Sequence, residues 1–205
     1  MLALSTFGDA MPAYHHGNLR KALMERAVEI IGTDGVDAVS LRGLARDLDV
    51  SHAAPSRHFA SRADLLKAIA VEDAGAMVDA VRDAIGKAED DPFARLSAAA
   101  QAYVDWVLRY PAHFRAARNP EVSRHAVDDL ARTIGTLADL LRETITDAQS
   151  QGWRREVPLE VVLFQFVATL VGAATLITDP IYQAIERSGG DRAKLFDEML
   201  ERLLS

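Results

Sequence analysis

Apolar residues recur every three or four positions along most of the chain, which is the spacing of an amphipathic helix. Residues 19–31 follow this period, and Gly32 and Gly35 end it. Runs of β-branched residues are short or lie within helical periodicity, so strand patterns are nearly absent. The pattern predicts an all-α protein with about nine helices.

Capping residues and prolines divide this pattern into successive helices. Ser40, Ser51 and Ser61 stand where N-caps are expected, and Asp91-Pro92 joins a cap to the proline favoured in a first turn. Further prolines at positions 111 and 120 isolate one short helix. The predicted helices cover residues 19–31, 41–48, 51–58, 61–85, 92–107, 113–118, 123–151, 159–178 and 191–203.

Residues 161–178 form an uncharged segment that could be mistaken for a membrane span. As an α-helix it reaches about 27 Å, which is at the short limit for crossing a bilayer. Glu160 and Asp179 bracket it, with no Lys/Arg asymmetry and no aromatic belt. We therefore expect no membrane contact and a helix enclosed by protein, within its own domain or across a subunit interface.

Composition narrows the class of protein. The 205 residues are 49% apolar and contain no cysteine, which excludes a disulfide framework, thiol redox chemistry and Cys-ligated metal sites. No phosphate loop, dinucleotide fingerprint or serine elbow is present, so we expect no cofactor, no metal site and no enzyme. Residues 1–11 lack Lys, Arg and a long apolar run, which argues against a secretory signal and for a cytoplasmic protein.

Charge is divided unevenly along the chain. The net charge of −7 falls entirely on residues 71–205, whereas residues 1–70 contain 8 basic and 8 acidic side chains. Residues 40–69 hold 5 basic and 3 acidic side chains, together with His52 and His58. This stretch of short helices is therefore the locally cationic region of an acidic protein.

Residues 40–59 have the sequence form of a helix-turn-helix. Two short predicted helices flank a turn of three to four residues, and the small Ala45 stands where the helices must approach closely. Asp49 opens the turn, where a left-handed backbone is needed that Asp adopts at modest cost. Phe59 is expected to pack the third helix onto the first and the fourth.

The surrounding residues resemble the DNA-binding domain of the tetracycline-repressor (TetR-like) family. The resemblance covers residues 14–70, about a third of the chain by length, and implies a dimeric transcriptional regulator, usually a repressor, that a small molecule releases from its operator. It rests on residues 14–20 (YHHGNLR), Gly35, residues 40–42 (SLR), residues 50–59 (VSHAAPSRHF) and residues 62–66 (RADLL).

The resemblance also implies a division of the chain. We assign residues 14–60 to the DNA-binding domain, residues 61–90 to a connecting helix, and residues 91–205 to an effector-binding and dimerisation domain. The last of these resembles the family in architecture, as an acidic all-helical bundle with a very apolar helix. A homodimer is expected to form through the helices at residues 123–151 and 159–178 as a four-helix contact.

DNA contacts are expected on and beside the predicted helix at residues 51–58. His52, Ala53, Ser56 and Arg57 are the candidates to face bases, and Ser51 at the helix start suits a phosphate. Arg57 suits a pair of hydrogen bonds to a guanine and a contact with the DNA backbone equally well. By position, the resemblance implies that Arg42, His58 and Arg62 contact phosphates. The full set is Arg42, Ser51, His52, Ala53, Ser56, Arg57, His58 and Arg62.

Ser56 stands where the family commonly has Tyr, so one phosphate contact and some packing are missing. The alternative function is therefore a small-molecule-binding protein of the same fold whose DNA binding is weak or lost.

Aromatic residues of the C-terminal part suggest a pocket for an apolar or amphipathic ligand. Aromatic side chains at helical spacing also serve as plain core, and both interpretations stay open at this point. The candidate wall residues are Tyr103, Trp106, Phe114, Arg118, Phe164 and Phe166.

Overall fold

The structure, a computed structural model, describes residues 19–178 and 192–205. Within these ranges the chain is helical and contains no strand, which confirms the predicted all-α class. Residues 14–18 of the family-like motif and the expected helix start at 191 lie outside the described residues. The helices are α1 (Leu19–Thr33), α2 (Leu41–Asp47), α3 (Arg62–Lys87), α4 (Pro92–Arg109), α5 (Pro111–Arg118), α6 (Pro120–Arg124), α7 (Val127–Ser150), α8 (Leu159–Thr178) and α9 (Arg192–Leu204).

Three helices begin at the capping residues that the sequence indicates. The Ser40 hydroxyl accepts a hydrogen bond from the Gly43 amide at 3.1 Å, and the Ser61 hydroxyl accepts one from the Asp64 amide at 3.1 Å. The Asp91 carboxylate accepts from the amide three residues later at 2.7 Å. Each bond satisfies an amide that the first helical turn leaves without a partner.

The turn after α2 adopts the expected left-handed backbone at Asp49, whose φ is 51°. The Val50 amide donates to the Ala45 carbonyl at 2.9 Å, and the Asp49 amide donates to the Arg46 carbonyl at 3.2 Å. These two bonds form the Schellman arrangement that closes a helix C-terminus. The turn is therefore tied to α2 by its own backbone.

The short helix predicted at residues 51–58 forms only in part. The segment is a tight turn that ends in a 3₁₀ helix at Pro55–Arg57. Pro55 has no amide hydrogen, so it cannot donate to the Ser51 carbonyl four residues earlier. Three-residue bonds replace this pattern, from the Ala54 amide to Ser51 and from the His58 amide to Pro55, both at 2.9 Å.

The predicted helix at 123–151 is likewise divided in the structure, where α6 ends at Arg124 and α7 begins at Val127. Val122 and Ala126 flank the break, and both are buried in the same hydrophobic cluster. The break allows residues on both sides of it to reach that cluster.

Two hydrophobic clusters share α3. The N-terminal cluster joins α1, α2, Phe59 and the first half of α3, and it also takes in Ala116 of α5, Val122 of α6 and Ala126. The second cluster joins the later half of α3 to α4, α7, α8 and α9. Phe59 is buried among residues of α1 and α3, as predicted. The C-terminal helices therefore help to build the core behind the helix-turn-helix.

One face of α8 is open to solvent. It presents Val161, Phe164, Val167 and Leu176, and Phe164 is 74% exposed. By length and composition alone α8 could cross a membrane, and 39% of its most apolar stretch is buried. The opposite face packs into the second cluster. Within the part of the chain that the structure describes, only one side of this apolar helix is therefore enclosed.

We expect Gly35→Ala to destabilise the protein by about 1–3 kcal/mol, because Gly35 adopts φ 85° and ψ 168°, a region that essentially only glycine occupies. An added Cβ would meet no atom within 4 Å there, so the effect isolates backbone strain. Urea unfolding measures it.

Gly86→Ala in α3 is the matched control, since its Cβ also meets nothing within 4 Å but the backbone is helical. It should stabilise the protein by about 0.5–1 kcal/mol. Equal effects of the two substitutions would contradict the strain at Gly35.

Candidate functional site

The turn after α2 exposes most of the predicted DNA-contacting residues on one continuous stretch of chain. Buried Leu44, Ala45, Pro55 and Phe59 hold this stretch against the N-terminal cluster. The polar side chains between them therefore point away from the core. The exposed members of the predicted set are Arg42, Ser51, His52, Ala53, Ser56, Arg57 and His58.

The exposed arginines of the predicted set, Arg42 and Arg57, form no ion pairs with the described residues. The Arg26 guanidinium binds the Asp47 carboxylate through Nε at 3.1 Å and Nη2 at 3.0 Å, and it binds Glu29 at 2.8 Å. Among the residues that the structure describes, no carboxylate lies within ion-pair distance of Arg42 or Arg57. Arg26 thus neutralises the carboxylate of Asp47, and the exposed guanidinium groups of Arg42 and Arg57 can attract phosphates.

Arg62, also in the predicted set, is turned toward the protein. Its Nε donates to the Val39 carbonyl at 2.9 Å, its Nη2 donates to the Val36 carbonyl at 2.7 Å, and its Nη1 binds the Glu121 carboxylate. The hydrogen bond from Arg62 lowers the pKa of Glu121. In this conformation Arg62 braces the chain before α2 and ties α3 to α6, and its contact with phosphate stays a prediction.

A second candidate site is an open cleft of about 340 Å³ between α3, α4 and α5. Small alanines of α3 form one wall, and aromatic side chains of α4 and of the α4–α5 junction form the other. Within the described ranges no three His, Asp or Glu side chains come together as a metal site requires. The lining residues are Asp73, Ala76, Ala80, Trp106, Arg109, Tyr110 and His113.

A buried carboxylate lies at one end of this cleft. Asp73 is only 8% exposed, and its Oδ1 lies 2.8 Å from Nδ1 of His113 on α5. This hydrogen bond raises the pKa of His113, against the opposing effect of partial burial. Oδ2 of Asp73 is buried and has no hydrogen-bond partner in the described part of the chain. The pair links α3 to α5 and leaves one acceptor unsatisfied.

The structure brings four of the predicted ligand residues into one cluster. Tyr103, Phe114 and Phe166 are buried in the second cluster, and Trp106 is partly buried against that cluster while it also lines the cleft. The Arg118 guanidinium lies 5.4 Å from the centre of the Phe114 ring. Phe164 lies on the exposed face of α8, away from these residues.

Sequence reasoning missed Asp73, Arg109 and Tyr110 as cleft residues. A signal for Asp73 was present, because it interrupts the apolar stripe of α3 that includes Ile69 and Ala74. An acid on the buried face of a helix calls for a specific partner.

Comparison with protein families assigns both parts of the chain. Residues 23–69 match the model of bacterial regulatory proteins of the tetR family, and residues 96–203 match the tetracyclin repressor-like C-terminal domain. The chain belongs to the TetR family. Its members are transcriptional regulators that bind DNA through an N-terminal helix-turn-helix.

Solved structures support the TetR-family fold over nearly the whole chain. A Rhodococcus sp. protein of unknown function is 30% identical, with a TM-score of 0.74, covering 95% of this chain and 97% of that one. A TetR family transcriptional regulator from Thermus thermophilus is 19% identical, with a TM-score of 0.72, covering 89% and 96%. A fatty acid degradation regulator from Bacillus halodurans is 16% identical, with a TM-score of 0.74, covering 93% and 97%. No curated protein matches the chain.

The Asp73–His113 pair makes folding stability depend on pH. Because the folded-state pKa of His113 is raised, the pair stabilises the protein fully below the unfolded-state value of about 6.5. This stabilisation is lost as the pH rises through the folded-state pKa. In Asp73→Asn the free energy of unfolding should no longer fall as the pH rises through this range, as measured by urea unfolding over a pH series.

Asp79→Asn, which changes an exposed acid on the same helix, is the control and should keep the dependence of stability on pH around the pKa of His113. An Asp73→Asn profile parallel to that of the wild type would contradict the role of the pair.

Proposed function

We propose that the protein is a ligand-responsive transcriptional repressor that binds a palindromic operator as a homodimer. A small apolar or amphipathic molecule releases it from the DNA, and the protein acts in the cytoplasm. The observation that carries this proposal is the exposed surface formed by α2 and the stretch after it, which presents Arg42 and Arg57 without acidic partners in the described residues. Membership of the TetR family supports the same function.

In the complex we expect the turn after α2 and its 3₁₀ helix, residues 48–57, to enter the major groove, and we call this segment the reading turn. His52, Ala53, Ser56 and Arg57 face the bases, and Arg57 can form two hydrogen bonds to a guanine or one to a phosphate. Ser51, Arg42 and His58 contact phosphates and set the register. Arg62 joins them only if its bond to Glu121 opens.

The exposed face of α8 supports dimerisation. Phe164, Val161 and Leu176 of α8 and Ile134 of α7 are apolar side chains exposed on the long C-terminal helices. A patch of this kind is unfavourable in water and suits a self-complementary contact. Two copies of α7 and α8 would form a four-helix contact, which places the two reading turns about 34–36 Å apart.

Effector control follows from the proposed division into residues 14–60, 61–90 and 91–205. A ligand in the third part must favour a spacing of reading turns that fits the operator poorly. The same free energy then makes DNA disfavour the ligand. Because α5 and α6 contribute buried residues to the N-terminal cluster, a movement of these helices in the third part can reach the reading turn.

Two observations favour the alternative, a small-molecule-binding protein with weak or lost DNA binding. Arg62 is engaged by Val36, Val39 and Glu121, and Ser56 replaces the usual Tyr. Two phosphate contacts of the family are therefore missing from this conformation.

A gel shift on the DNA that flanks the protein's own gene separates the two functions. We expect nanomolar binding that weakens steeply with salt, because phosphate contacts release counterions. Arg57→Ala should weaken binding by about tenfold, corresponding to the loss of one base or phosphate contact.

The matched control is Arg82→Ala, which removes an exposed arginine paired with Asp79 on α3, and its operator affinity should equal that of the wild type. Absence of binding even at low salt would favour the alternative function.

Sedimentation velocity at micromolar concentration tests the dimer. Phe164→Glu should give monomers, because it places a charge in the centre of the apolar face of α8. Leu108→Glu alters an exposed leucine of α4 and should remain dimeric. A monomeric wild-type protein would refute the proposed assembly.

A further inference from the structure

We propose that the cleft between α3, α4 and α5 binds an organic ammonium ion as the effector. Its N–H groups bind Asp73, and its apolar body lies against Trp106 and Tyr110. This inference rests on the proposed function for its regulatory meaning, but the binding site itself can be tested without DNA.

The unpartnered oxygen of Asp73 defines the chemistry of the head group. Oδ2 is buried and accepts no hydrogen bond from the described residues, although Asp73 lines the cleft. Leaving such an acceptor unsatisfied costs about 1–3 kcal/mol. An ionised carboxylate can only accept, so a ligand must bring a donor, and an ammonium group brings up to three donors with a complementary charge.

The aromatic wall suits the same ligand. The ring centres of Trp106 and Tyr110 lie 5.6 Å apart at an interplanar angle of 48°, and Tyr110 meets His113 edge-on at 5.7 Å. Faces of such rings attract cations as well as apolar groups. Ala76 and Ala80 on the facing helix have small side chains and leave room for the ligand's body.

The cations of the cleft do not outweigh Asp73. Arg109 is exposed in the last turn of α4, where solvent and salt screen its charge. His113 already binds Oδ1 of Asp73. The buried carboxylate is therefore the least screened charge in the cleft, and it favours a cation over an organic acid.

The same carboxylate connects the cleft to the DNA-reading part. An ammonium ion at Oδ2 of Asp73 shares the carboxylate charge with His113 and so weakens the hydrogen bond from His113 to Oδ1, which ties α5 to α3. On α5, Ala112 lies 3.4 Å from the Cβ position of Gly32 in α1, and Ala116 is buried in the N-terminal cluster. The weaker bond to His113 loosens α5 and shifts the core behind the reading turn.

Tryptophan fluorescence can report on the cleft directly. The chain has 2 tryptophans, Trp106 and Trp153, so Trp153→Phe leaves Trp106 as the single reporter. The Trp153 indole nitrogen has no hydrogen-bond partner in the described residues, so the substitution breaks none. The probes are octylammonium, octyltrimethylammonium and octanoate, which share a tail and differ in the head group.

In this background we expect octylammonium to bind saturably and octyltrimethylammonium to bind about tenfold more weakly, since it has no N–H donor. Octanoate should not compete. Asp73→Asn should weaken octylammonium binding by at least about tenfold, and Ala80→Leu should block it by filling the cleft. Asp79→Asn, an exposed acid on the same helix outside the cleft, should leave the affinity unchanged.

Tighter binding of octanoate, or octylammonium binding that survives both Asp73→Asn and Ala80→Leu, would overturn the site. Octylammonium should also raise the operator Kd of the wild-type protein by about tenfold. Binding that leaves DNA affinity unchanged would overturn the effector role. Operator binding without octylammonium binding refutes this inference alone, whereas octylammonium binding without operator binding refutes the proposed function alone.

Discussion

The hydrophobic core behind the exposed turn is completed by residues that lie far along the chain. Ala116 of α5, Val122 of α6 and Ala126 are buried with the side chains of α1, α2 and α3. Packed cores deform little, so a displacement of α5 must open this contact or carry α1 with it. Arg62 adds a polar tie, since it binds two carbonyls before α2 and the carboxylate of Glu121 on α6. The position of α5 and α6 therefore sets the orientation of the reading turn.

The short helix α5 places two environments within a few residues of each other. His113 meets the buried carboxylate of Asp73 at the cleft, and Ala112 and Ala116 meet the N-terminal part of the protein. A change in what Asp73 binds thus acts on the helix that contacts α1, without a long chain of intermediates. Under the proposed function this coupling would be reciprocal, because DNA and ligand would bias the same arrangement of α5.

The net negative charge and the exposed apolar face of α8 both lie in the C-terminal part of the chain, whereas Arg42 and Arg57 lie in the N-terminal part. The net charge of −7 lies on residues 71–205, so the C-terminal bundle is repelled by phosphates while the exposed stretch around Arg42 and Arg57 is attracted. The apolar face of α8 lies on that acidic bundle and is exposed among the described residues. In the proposed complex these features would orient the exposed arginines toward the duplex and leave α8 for a second copy.

Local patterns in the sequence determined the helices, their caps and the left-handed turn, because these depend on hydrogen bonds between residues three to five apart, as at Ser61 and Asp49. The absence of a regular helix at Pro55 follows from an equally local cause, the missing amide. Periodicity could not separate Phe164 from Phe166, because a helix that is apolar on all sides does not indicate which face is inward. The partners of Arg62 and Asp73 lie 59 and 40 residues away, so only the packing of α5 and α6 against α3 brought Glu121 and His113 to them.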